Sequence, residues 1–154
     1  MLDKTIILDG FSKTYAMTGW RLGYGVMPEW LVEAVSKLMV NSNSCTASFT
    51  QRAGIAALTG PQDSVDERRA IYERRRDRAL AALEGIEAQS EGTFFVWFRL
   101  PEGVTVDQLL VEHRVAVAPG EGFGARGAGW ARLSLAVSDE ILDRGLERLR
   151  GALG

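Results

Sequence analysis

The chain has 154 residues, 46% of them hydrophobic and 25% charged, with a formal net charge of -2. That balance is globular, gives room for one ordinary domain with a core, and offers no electrostatic reason to bind nucleic acid or an anionic membrane. One cysteine, Cys45, cannot close an internal disulfide, which fits a reducing cytoplasm, and neither a membrane-spanning apolar run nor a signal-peptide pattern is present.

In chain order, Thr5–Leu8 reads as a short buried strand, and the lysine of Ser12-Lys13 follows just beyond it. Arg21 stands eight residues after that lysine and opens a second strand, 21–26, interrupted by Gly23 and Gly25. A lysine amine beside a hydroxyl, with an arginine looping back, suits a phosphorylated aldehyde: the amine condenses with the carbonyl while serine and arginine hold the phosphate. That is the chemistry of pyridoxal phosphate (PLP). Pro28 then opens a helix with Leu31, Ala34, Val35, Leu38 and Met39 on one stripe, followed by a polar loop over 41–45. A further helix spans 49–58 and stops at Gly60-Pro61.

Ser64-Val65-Asp66-Glu67 reads as a capping box that starts a long helix reaching about Leu83. Its many arginines are interleaved with acids at helical spacing and lack interleaved aromatics, so a solvated, ion-paired face is expected rather than a nucleic-acid surface. Thr93–Leu100 then reads as a strand, with Phe94, Val96 and Phe98 on one side and Phe95 and Trp97 on the other, covered on both faces. After a turn at Pro101-Glu102-Gly103 comes a short helix over 106–114. It carries the sole histidine, His113, with no cysteine or acid at ligand spacing, so His113 is expected at the surface and no metal site is expected. A short strand over 115–118 follows.

Five glycines fall between Gly120 and Gly129, and Gly122 to Gly127 matches the dinucleotide pattern GxGxxG. That pattern needs a preceding strand and a following helix, whereas 130–137 alternates like a strand, so a flexible loop near a ligand is expected instead. In 130–137, Ala131, Leu133, Leu135 and Val137 form the apolar face, which leaves Trp130, Arg132 and Ser134 pointing the other way. Arg132 can therefore face a cleft, where its two parallel donors match a carboxylate. Ser138 caps a final helix whose stripe is Ile141, Leu142, Leu146 and Leu149.

Residues 11–25 resemble the active-site lysine segment of the class I/II aminotransferases, the aspartate aminotransferase superfamily. Ser12-Lys13-Thr14, Gly19-Trp20-Arg21 and Gly23-Tyr24 all stand where that family has them, and the likeness continues more thinly to the C-terminus. The resemblance implies an α/β chain, the C-terminal portion of the PLP-dependent transferase fold type I, with an α+β small domain. It divides the chain into a remnant of the large PLP-binding domain (1–63), a long linking helix (64–90) and the small domain (91–154). It implies that Lys13 forms the internal aldimine and moves the proton, that Ser12 and Arg21 bind the cofactor phosphate, and that Arg132 binds the substrate α-carboxylate. The substrates implied are an amino acid and a 2-oxo acid, in a cytoplasmic homodimer to whose neighbouring subunit segment 41–48 comes close.

The family places this lysine late in its sequence, after the aspartate that pairs with the pyridine nitrogen and after a glycine-containing phosphate loop. Asp3 and Asp9 do not stand for that aspartate, so a truncated or shortened aminotransferase, inactive alone, is the expectation. A lyase on the same fold, a non-catalytic dimerisation fragment and a general anion-binding protein are the alternatives.

Overall fold

The computed structural model describes residues 2–154. The chain divides into two compact units, one ending at Asp66 and the other running Glu67–Gly154.

In the first unit, β1 (Ile7–Gly10) and β2 (Gly23–Val26) form an antiparallel two-stranded ribbon pairing Ile7 with Val26 and Gly10 with Gly23. β1 starts two residues later than expected, and it is not buried: Leu8 is 78% exposed, because a two-stranded ribbon has no second layer on that face. α1 (Phe11–Thr14) is a single turn following β1, so the lysine sits on a helical turn just beyond the strand. α2 (Glu29–Asn43) runs through the stretch expected as a loop. Asn41 Nδ2 donates to Lys37 O at 2.7 Å and Ser42 Oγ donates to Leu38 O at 2.9 Å, so these polar side chains bond back onto the helix instead of breaking it. Of its expected apolar stripe, Leu31 and Val35 are half-buried while Leu38 and Met39 are exposed. Cys45, in the loop after α2, is exposed. α3 (Ser48–Thr59) ends where Gly60 N donates to Ala56 O, as the Gly-Pro signal predicts.

α4 (Asp63–Ala82) starts one residue before Ser64, and the expected capping box does not form. Gln62 opens the helix instead: its carbonyl accepts from Val65 N and Asp66 N, while its Nε2 donates to Ala57 O and Gly60 O, pinning the corner after α3. The arginines of α4 do more than decorate a solvated face. Arg75 Nε donates to Asp139 Oδ1 at 2.8 Å and Arg75 Nη1 to Leu135 O at 3.2 Å, and Arg78 pairs with Asp139 and Asp143. α4 is thereby clamped to the start of α6 (Asp139–Leu153).

The second unit is a four-stranded antiparallel sheet in the order β3-β4-β6-β5: β3 (Ala88–Gln89), β4 (Phe95–Arg99), β6 (Trp130–Ser134) and β5 (Ala118–Pro119). β3 was not anticipated, since two residues carry no periodicity. β5 begins at the end of the expected 115–118 strand, and Val115 is instead buried with its N–H on Leu109 O. β6 ends at Ser134, after which Leu135 N still donates to Phe94 O at 2.8 Å.

Alternation sets the layers. Val96, Phe98, Ala131 and Leu133 face the core with Ala79 of α4, Leu83 just after it, Leu109 of α5 (Val106–Val111) and Leu142, Leu146 and Leu149 of α6. β4 is not covered equally on both sides: Val96 and Phe98 are fully buried, whereas Phe95 and Trp97 are half-buried. α5 carries an unanticipated capping box: Thr105 Oγ1 accepts from Gln108 N, and Gln108 Oε1 accepts from Thr105 N. Ser138 caps α6 as expected, but Ile141 lies off the buried stripe and is exposed. His113 is half-buried rather than at the surface. Among the described residues no helix is long and apolar enough to cross a membrane.

Candidate functional site

The residues singled out in the sequence fall into two groups, one in each unit. The first lies at one end of the β1–β2 ribbon. Gly10 pairs with Gly23, and Phe11 N donates to Leu22 O at 3.1 Å. That register places Ser12-Lys13, just after β1, at the same end of the ribbon as Arg21, just before β2. Phe11 anchors the turn. It is 4% exposed and its ring meets Tyr15 at 5.5 Å and Tyr24, edge-on, at 5.6 Å. On α3, a Cβ at Gly54 would lie 2.5 Å from Leu22 Cδ2 and 3.4 Å from Phe11 Cζ, so the missing side chain is what lets α3 approach this closely. With Phe11 and Met17 buried on either side, Ser12 is half-buried and Lys13 is exposed.

Two non-glycine residues here adopt left-handed backbone, Ala16 with φ 54 and Arg21 with φ 52. A side chain in that region costs about 1 kcal/mol, a strain that persists where surrounding contacts dictate it and that gathers at functional sites. Arg21 ends the 3-10 turn Thr18–Trp20, and its Nη1 donates to Thr18 O at 3.0 Å. The reversal at Arg21 returns the chain into β2.

Sequence reasoning missed the pair Asp9–Tyr24. Tyr24 Oη donates to Asp9 Oδ2 at 3.3 Å, and Asp9 Oδ1 accepts from Gly10 N at 2.6 Å. The negative charge of Asp9, then partial desolvation, then this hydrogen bond hold the Tyr24 hydroxyl above its ordinary range, so it stays protonated and donating. Fifteen residues separate the two, and only the strand register reveals that they face each other.

The second group surrounds Arg132 on β6, opposite the core-facing Ala131 and Leu133 as the alternation predicts. Its guanidinium carbon lies 4.0 Å from the centroid of the Phe95 ring and 4.4 Å from that of Phe123. Trp97 meets Phe123 edge-on at 5.5 Å and stacks with Trp130 at 6.0 Å and 16°. The glycine-rich stretch forms two 3-10 turns, Gly120–Phe123 and Ala125–Gly127, and the GxGxxG look-alike leads into β6 rather than a helix. This aromatic surround was missed, although the outward positions Phe95 and Trp97 were legible in the alternation. Among the described residues no group of His, Cys, Asp or Glu is placed to hold a metal ion.

As a donor set, the first group offers an amine, a hydroxyl and a guanidinium, and the second a half-buried guanidinium among aromatic rings. Residues 2–149 match the family described as aminotransferase class I and II. The chain is 37% identical to an LL-diaminopimelate aminotransferase of Moorella thermoacetica, covering 97% of this chain and 40% of that protein. It is 35% identical to an aspartate aminotransferase of Pyrococcus abyssi, covering 99% of this chain and 42% of that one. The solved structure of an aromatic aminotransferase from Pyrococcus horikoshii superposes with a TM-score of 0.93 at 37% identity, over 99% of this chain and 44% of the other. The chain thus spans about two fifths of the length of the curated relatives it matches.

Proposed function

The chain belongs to the class I and II aminotransferases, and we propose that it is the C-terminal part of an enzyme that moves an amino group between an amino acid and a 2-oxo acid with pyridoxal 5'-phosphate as cofactor. The observation that supports this reading is the strand register, which sets Ser12, Lys13 and Arg21 at the same end of the β1–β2 ribbon, with Arg21 in a strained backbone conformation. An amine, a hydroxyl and a guanidinium together fit a phosphorylated aldehyde, with Lys13 for the carbonyl and Ser12 and Arg21 for the phosphate. When bound, the cofactor supplies an electron sink for the bond broken at the substrate α-carbon.

The chain's own residues do the rest. The Lys13 amine holds the proton taken from the α-carbon and returns it. The Ser12 hydroxyl and the Arg21 guanidinium fix the phosphate end. Arg132 presents two parallel donors to the substrate α-carboxylate and so orients the α-carbon. On the same reading, residues 1–63 belong to the large cofactor-binding domain, 64–90 link it to the small domain 91–154, and the enzyme is a homodimer.

Comparing pyridoxal 5'-phosphate with pyridoxal, which lacks the phosphate, tests the cofactor assignment. The chain is expected to bind the phosphorylated form about tenfold more tightly, the worth of one charge-assisted hydrogen bond. Arg21→Gln should lose most of that preference. Equal binding of the two aldehydes by the unsubstituted chain would overturn the assignment of Ser12 and Arg21.

A further inference from the structure

Resting on the reading of Arg132 as the carboxylate-binding residue, we propose that Phe95 and Phe123 are positioning residues, whose rings hold the Arg132 guanidinium by its flat faces and leave its N–H edges to the substrate carboxylate. The contrast within the same unit is informative. Arg75 spends its donors on Asp139 and on the carbonyl of Leu135. Arg132 is half-buried too, yet among the described residues no carboxylate or carbonyl accepts from its N–H groups; what it touches are the two rings, at 4.0 and 4.4 Å. Stacking on an aromatic ring uses a guanidinium's face and leaves its in-plane donors available, which is the arrangement a bidentate carboxylate needs. A long side chain held in place beforehand also loses less freedom when the ligand arrives.

The glycine-rich stretch seats one of those rings. Phe123 ends the turn that starts at Gly120, and Gly120 packs backbone to backbone against Gly127. A Cβ on Gly127 would run into the Gly120 carbonyl, and one on Gly120 would lie 2.7 Å from Trp130 O as well as striking Gly127. Only glycine at both positions brings the turn down onto the sheet, where Trp97 backs the Phe123 ring at 5.5 Å. Gly120 and Gly127 serve to place an aromatic ring on Arg132.

The test is nitrogen-15 NMR of the Arg132 Nε–H signal in the 154-residue chain, first alone and then with pyruvate as a carboxylate probe. Phe123→Leu should speed reorientation of the guanidinium and weaken the pyruvate response about fivefold, the scale of one partly shielded cation–π contact. Phe123→Tyr, which keeps the ring, should restore both. Phe95→Leu, on β4 and away from the glycine turn, must loosen Arg132 in the same way without disturbing that turn. Arg132→Lys, followed through the indole N–H signals of the neighbouring Trp97 and Trp130 because the arginine signal is then gone, should abolish the response to pyruvate. If both leucine variants leave mobility and pyruvate binding unchanged while Arg132→Lys still abolishes binding, the positioning role is wrong and the carboxylate reading stands. If pyruvate does not move the Arg132 signal in the unsubstituted chain, the carboxylate reading fails and this proposal fails with it.

Discussion

The chemistry of a single residue is set either by its neighbours in sequence or by partners that only the fold brings to it. Ser12, Lys13 and Arg21 lie within ten residues of one another, so their chemistry shows in the string itself, whereas the partnership of Asp9 with Tyr24 needs the strand register. Asp139 belongs to the second kind. The hydrogen bond from Arg75 is the main reason its carboxyl is held below the ordinary aspartate value of 3.8; desolvation opposes it, and the charges of Arg75 and Arg78 and the hydrogen bond from Arg78 add to the lowering. A folded value below the unfolded one means that the pair stabilises the fold above the ordinary aspartate range and that this contribution disappears as pH falls through the lower, folded value. Asp139→Asn should therefore lower Tm at neutral pH, and the gap to the unsubstituted chain should close on acidification below 3.8. A gap that stays constant from about pH 7 to about pH 2 would show that Asp139 does not act through its charge. In the core, Phe98 is fully buried on β4, and Phe98→Ala should cost about 3–5 kcal/mol in denaturant unfolding. A loss below about 1 kcal/mol would mean that the strand is not packed as described.

At the scale of elements, type was easier to read than extent. α6 and β6 follow from periodicity because each shows one face to the core, whereas β4 is legible as an apolar run and α3 by its Gly60-Pro61 stop. The end of α2 was misplaced because Asn41 and Ser42 look like loop residues, yet satisfy their own side chains on helix carbonyls. The start of α4 was misplaced because Gln62, not a recognised capping residue, opens it. Short elements that exist only through a neighbour, such as β3 against β4, leave no trace in the string. Two elements offer direct checks. Thr105→Ala removes the oxygen that accepts from Gln108 N and should destabilise the chain by about 1 kcal/mol, while Thr105→Ser should recover most of it. Gly127→Ala forces a methyl against the Gly120 carbonyl and should cost about 1–3 kcal/mol, with the largest chemical-shift changes at Phe123 and Trp130. A neutral Gly127→Ala would show that the two turns are not held together by backbone contact.

For the molecule as a whole, the two units differ in how much core they own. The unit Glu67–Gly154 has one contiguous cluster drawn from three helices and two strands. The first unit buries Phe11 and Met17 but leaves Trp30 75%, Leu38 69% and Phe49 68% exposed. Apolar surface of that extent favours association, so the chain should sediment as more than a monomer, and amides of β4, β6 and α6 should outlast those of β1, β2 and α2 in hydrogen exchange. Uniform protection in a strictly monomeric chain would contradict both expectations. The central claim is that Lys13 carries the cofactor, and the chain makes it easy to test because it has only three lysines, Lys4, Lys13 and Lys37. The measurement is to incubate the chain with pyridoxal 5'-phosphate, reduce with borohydride to make any bond between lysine and aldehyde permanent, and map the label by peptide mass. Label concentrated on Lys13, and lost in Arg21→Gln, is the predicted result; label on Lys4 and Lys37 with none on Lys13 would contradict it.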